Sequence, residues 1–162
     1  MSATEFFAGL QDSQLGQFIS GSAVVFPWLE SVHVLAITFV VGSIAVVDLQ
    51  LLGWARGRDT IARMTREVVP WTLGAFALAA VTGALLFVSA AERYWINGFF
   101  RTKLVLLVLA GINMLVFHLV TGRDPAALDR TPVPRSGRVA GALSLCAWIL
   151  IVVCGRWVGF TL

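Results

Sequence analysis

The stretch Ala23–Trp54, AVVFPWLESVHVLAITFVVGSIAVVDLQLLGW, decides the fold. It is longer than the roughly 20 apolar residues that carry an α-helix across the hydrocarbon core of a bilayer. It also holds three ionisable groups, Glu30, His33 and Asp48. Such groups are costly in a membrane segment, so they normally face a protein interior, a cavity or a partner. At about 100° of turn per residue, Glu30, His33, Ile37, Val41, Ile44 and Asp48 share one face. That face is expected to look into a helical bundle.

The rest of the chain repeats the pattern. Further apolar spans are expected at about 70–90, 102–121 and 138–160, beside the first at about 24–53. Pro70 suits the first position of the second span. Thr60–Val69 reads as a separate short surface helix. Residues 1–20 lack the charged start and long apolar core of a signal peptide. Ser2 and Glu5 are spaced for a capping box. Phe6, Phe7, Leu10, Phe18 and Ile19 then give an amphipathic helix lying in the membrane interface. The expected fold is therefore a single all-α membrane domain over 1–162: a four-transmembrane-helix bundle with a short N-terminal interfacial helix. No internal repeat is evident.

Composition agrees. The 162 residues are 58% hydrophobic and 13% charged, with a mean hydropathy of +0.85. Soluble domains run nearer roughly 45–50% apolar and about 25% charged. Trp28, Trp54, Trp71, Trp95 and Trp157 fall near span ends, as an aromatic belt does. No basic, aromatic-interleaved run of the kind that tracks nucleic acid is present. Cys146 and Cys154 lie about 12 Å apart by helical rise, too far for a disulfide with each other. They read as packing residues.

Charge gives an orientation. The loops after spans one and three hold Arg56, Arg58, Arg63, Arg66, Arg123, Arg130, Arg135 and Arg138. The positive-inside rule places these loops in the cytoplasm. Both termini are then on the outer side, which is periplasmic for the inner membrane of a Gram-negative bacterium.

Orientation fixes depth, and depth sorts the polar residues. Glu30 and His33 in span one, Lys103 opening span three and Arg156 near the end of span four all lie toward the outer side. Asp48 and His118 lie toward the inner side and are expected to pair there. Two histidines in a bundle suggest a bis-histidine haem. The axial nitrogens of such a haem are only about 4 Å apart, whereas His33 and His118 differ in depth by roughly 10–20 Å. The outer set has the better geometry. His33 is the candidate iron ligand, with Lys103 as the other axial group or that position open. Arg156 or Arg101 suits haem propionates, and Glu30, one turn before His33, suits the far imidazole nitrogen. Ala75, Ala79 and Gly83 form a small-residue stripe on span two that fits close helix packing or a flat cofactor. In the bland account, Glu30 with Arg156 or Lys103 is a buried ion pair and His33 only locks the bundle. Asn113 then makes a helix–helix hydrogen bond.

The segments PWLESVHVLAITFVVGS, DLQLLGWA and FFRTKLVLLVLAGINMLVFH resemble a bacterial family of uncharacterised four-helix integral membrane proteins, a likeness that covers nearly the whole chain. More distantly the chain looks like the four-helix haem b protein that acts as a protoporphyrinogen oxidase, and like the membrane domain of copper-resistance D proteins. The oxidase family carries a histidine in its first span and a lysine opening its third. His33 and Lys103 stand at those positions, so the resemblance implies a haem site there. ITFVVGSIAVVDLQLLG stands where that family has an aromatic- and Arg-rich run. A copper site implies Met-, His- or Cys-rich ligand sets, and Met1, Met64 and Met114 are scattered.

Three functions follow as expectations. The first is a haem b-binding protein that moves electrons to or from a quinone or a periplasmic redox partner. The second is a non-enzymatic membrane scaffold or accessory subunit, forming a homo-oligomer. The third is a small transporter or proton pathway through Glu30, His33, Asp48 and His118, which Val41 and Ile44 interrupt. No soluble catalytic motif, such as G-x-S-x-G or H-E-x-x-H, occurs in the chain.

Overall fold

The structure is a computed structural model that describes residues 2–54, 61–120 and 133–162. Seven helices follow one another among these residues: α1 (Ala3–Gln11), α2 (Gln14–Gly21), α3 (Val25–Leu51), α4 (Ile61–Ser89), α5 (Ala91–Ile96), α6 (Gly98–Val120) and α7 (Arg135–Thr161). No strand occurs among the described residues. Helices α3, α4, α6 and α7 are each long and apolar enough to cross a membrane. The expected class, four apolar spans with a short N-terminal helix, is the one observed.

Two local expectations change. The N-terminal segment is two helices rather than one. Ser2 and Glu5 do form the capping box of α1. The chain then breaks at Asp12–Ser13, where the Ser13 hydroxyl accepts from the Gly16 amide at 3.2 Å. Gly16 is required at this elbow: a β-carbon there would collide with the Gln11 carbonyl and stand 3.1 Å from the Val88 carbonyl of α4. Pro70 does not open a helix but lies inside α4. Its ring removes one backbone hydrogen bond, a loss that spanning helices tolerate when neighbouring groups adjust. The surface helix expected up to Val69 and the second span are thus one continuous helix. Arg56, Arg58, Arg123 and Arg130, on which the orientation partly rests, lie outside the described residues.

Packing divides the spans into two tight pairs, α3 with α4 and α6 with α7, which join along α3 and α7. Helices α4 and α6 do not pack along their lengths. Small residues and hydrogen bonds fix each contact, as expected where lipid removes the usual hydrophobic drive between helices. In the first pair, the Ser43 and Thr72 hydroxyls meet at 2.8 Å. In the second, Asn113 Nδ2 donates to the Ala140 carbonyl at 3.0 Å, the helix–helix bond foreseen for Asn113. Between the pairs, a β-carbon at Gly141 of α7 would stand 3.0 Å from Leu51 Cβ and 3.2 Å from the Asp48 carbonyl. Much of the outer surface is apolar, with Leu35, Val108 and Phe160 all more than 60% exposed. In water such faces would drive association, whereas in hydrocarbon they are simply solvated.

The chain termini lie at one end of the bundle, which is closed by aromatic rings. Phe7 of α1 meets Trp95 of α5 at 4.4 Å and Phe87 of α4 at 5.6 Å between ring centroids. Phe87 stacks on Phe100 of α6 at 5.4 Å, and Tyr94 packs against both. Asn97 caps α6 by accepting from the Phe100 amide at 3.1 Å. Its Nδ2 donates to Thr161 Oγ1 at 2.8 Å, which ties the start of α6 to the end of α7.

Candidate functional site

Beneath this aromatic roof lie His33 and Lys103. His33 is half-buried on α3 and faces α4. Its Nδ1 is 3.0 Å from Thr82 Oγ1. The ring lies against Gly83, where a β-carbon would meet His33 Cε1 at 2.8 Å. Thr82 is itself buried and donates its hydroxyl to the Leu78 carbonyl at 2.8 Å. A hydroxyl has one hydrogen. With it committed to Leu78, Thr82 accepts from His33 Nδ1–H. This arrangement suits the Nδ1–H tautomer of a neutral imidazole, and the Ala79 backbone is a further hydrogen-bond partner of the ring.

Lys103 is half-buried on α6 and faces α7. Its Nζ would be 3.4 Å from a β-carbon at Gly155, and the buried thiol of Cys154 is within its electrostatic reach. Lys103 and His33 are also within electrostatic reach of each other. The two helical pairs thus each present one nitrogen base toward the same region. No carboxylate pairs with either base among the described residues; the ion pair described there, Arg63 with Glu67, is on the surface of α4.

The other expected members of the outer set stand apart. Glu30 is exposed and acts on Tyr94. Burial pushes the Tyr94 hydroxyl above its usual range, the Glu30 charge adds to this, and Arg93 opposes it. Arg156 is exposed, and its guanidinium lies 4.6 Å over the Phe160 ring of its own helix. Arg101 is exposed as well. A Glu30–Arg156 or Glu30–Lys103 ion pair is not formed.

The inner pair is also separate. Asp48 is buried against Gly141 of α7, with the Ser144 side chain as its polar neighbour there. His118 is exposed on α6, with Nδ1 3.0 Å from the Met114 carbonyl of its own helix. Similar depth does not bring these two together, because their helices turn them to different sides.

Thr82, Gly155 and Cys154 were not singled out from the sequence as neighbours of a site. Their signal was weak: a threonine in an apolar helix usually bonds to its own backbone, and the Cys154–Gly155 pair reads as packing. Gly83 carried a signal, as part of the stripe with Ala75 and Ala79. Two recesses stand out on the surface of the described residues. One of about 660 Å³ is lined in part by Arg93, Asn97, Phe99 and Thr102; the other, of about 620 Å³, is lined in part by Phe39, Trp71 and Gly74. Neither is lined by His33 or Lys103. No group of three or more His, Cys, Asp or Glu side chains suited to a metal ion occurs among the described residues.

The model of one protein family matches residues 6–161, and the chain belongs to that family, a family of unknown function designated DUF6644. Comparison with curated proteins and comparison with solved structures each find no match.

Proposed function

We propose that this DUF6644 chain is a haem b-binding membrane protein that carries electrons at the outer face of a bacterial cytoplasmic membrane. One observation supports this above the rest: Thr82 pins the His33 ring within electrostatic reach of a lysine that has no carboxylate partner among the described residues. A ligating histidine usually donates its other ring N–H to an oxygen, which fixes the tautomer and aims the lone pair. Thr82 gives His33 that arrangement. An ammonium without a counter-charge is unfavourable in apolar surroundings, whereas the neutral amine is a good donor.

The donor set therefore suits haem iron, with His33 as first ligand and Lys103 as second ligand or neighbour. Gly83 and Gly155 supply the smooth surfaces against which the two side chains lie. Helices α4 and α6, which do not pack along their lengths, are the ones that would part to admit a flat group. Arg101 and Arg156, exposed at the same end, are suited to propionates at headgroup level. When bound, haem b supplies a one-electron couple. The chain's own part is to hold the bases, exclude water beneath the aromatic roof, and present the outer face to a quinone or a periplasmic redox partner. With the Arg-rich loops inside, that face is periplasmic.

The visible spectrum of detergent-purified protein from haem-replete cells tests this. A Soret band with b-type reduced bands is expected, altered in His33→Ala and in Lys103→Ala. A colourless, fully helical protein would refute it. The scaffold alternative would then gain, since the His33–Thr82 bond is also what a residue that merely locks a helix pair would make.

A further inference from the structure

The α3/α7 contact at the end away from the termini contains a buried group that the proposed haem site does not use. Asp48 is only 4% exposed. The Ser144 side chain of α7 is its polar neighbour, and its Oδ2 is buried with no hydrogen-bond partner. The contact around it is close. The Gly141 position lies so close to Leu51 Cβ and the Asp48 carbonyl that no water fits between the helices there. Aspartate is also too short to snorkel to the headgroups as lysine and arginine do.

Among the described residues, no basic side chain is paired with the carboxylate. On α7, Gly141 and Ser144 face it, while Arg138, one turn earlier, is exposed. On α4, Arg66 and Glu67 are exposed, and on α6, His118 is exposed and bonded to its own helix. Gln50, also buried with a partnerless oxygen, is turned away by about 200° and belongs to another face. An isolated carboxylate in a low-dielectric interior is neutralised or paired rather than left bare. A divalent ion would leave one of its two charges unanswered by a single carboxylate, which a low-dielectric interior penalises.

We infer that Asp48 and Ser144 form a monovalent-cation site, occupied by a proton or a sodium ion, that closes the α3/α7 contact. Occupancy neutralises Asp48 and gives its free oxygen a partner, so cation binding favours the joined pair of hairpins. The site is independent of haem.

Thermal unfolding of the detergent-purified full chain tests the inference, with wild type compared to Asp48→Asn. One series runs from about pH 5 to about pH 8. A second varies sodium over about a hundredfold range, with choline holding the ionic strength constant. Linkage to one site changes the folded-to-unfolded ratio by up to about tenfold per tenfold change in the occupying cation. Wild type is expected to show that dependence and Asp48→Asn to lose it. A difference between the two proteins on the acidity axis alone identifies a proton, and one on the sodium axis identifies sodium. Superimposable responses on both axes overturn the inference. Should Asp48→Asn fail to fold, Ser144→Ala keeps the carboxylate and is expected to need about tenfold more cation for the same stabilisation; an unchanged response there overturns it equally.

Discussion

Gly83 and His33 compete for one volume: a β-carbon at position 83 would stand 2.8 Å from Cε1 of the His33 ring. The ring tip is the movable partner, so Gly83→Ala is expected to push the imidazole off Thr82 rather than separate the helices. Losing one hydrogen bond costs about 0.5–1.5 kcal/mol. The unfolding midpoint in detergent should fall accordingly, and the spectrum of haem-loaded protein should change. A variant with unaltered midpoint and spectrum would show that the ring does not sit on Gly83.

Thr82→Val keeps shape and removes the acceptor. A buried N–H left without a partner costs about 1–3 kcal/mol, so Thr82→Val should destabilise more than Thr82→Ser, which retains an oxygen. Equal stability of the two variants would dismiss the tautomer assignment for His33. Denaturant titration followed by tryptophan fluorescence gives the comparison.

Asn113 ties α6 to the Ala140 carbonyl of α7 at 3.0 Å. Interhelical side-chain bonds in membranes are worth about 0.6 kcal/mol on average and about 1.7 at most. Asn113→Leu is expected to lower stability within that range. A larger loss would mean that Asn113 also supports groups beyond its carbonyl partner.

Tyr94 is the only tyrosine in the chain, so the tyrosinate absorbance band reports it alone. Burial chiefly, and then the Glu30 charge, raise its hydroxyl above the usual value. The spectroscopic midpoint is therefore expected above about 10. For an acid whose folded pKa is raised, the stabilising share is complete below the unfolded value and is lost as pH climbs from there through the folded value. Wild type should thus lose more stability than Tyr94→Phe above about pH 10. A titration at or below the ordinary value would place Tyr94 in water.

The four spans were legible because hydropathy and length are properties of a segment alone. What surrounds each polar residue was less legible, because it depends on how each helix is rotated. Glu30 and His33 are three residues apart and were assigned one face, yet His33 faces α4 while Glu30 is exposed beside Tyr94. Asp48 and His118 share a depth, yet one faces α7 and the other is exposed. Depth follows from counting residues at about 1.5 Å each; azimuth follows from which glycines let helices approach. Pro70 misled for a related reason. A proline marks a helix start in water, but within a long apolar helix the loss of one bond leaves the rest in place.

The pairing of α3 with α4 and of α6 with α7 bears on how the protein is made. Each tight pair consists of consecutive spans, so each hairpin can close soon after its second helix leaves the insertion machinery, without waiting for distant sequence. Only the α3/α7 seam, with Gly141 against Asp48, requires the first and last spans to meet. A nascent chain released after Val120 would hold one finished hairpin and an unmated α6.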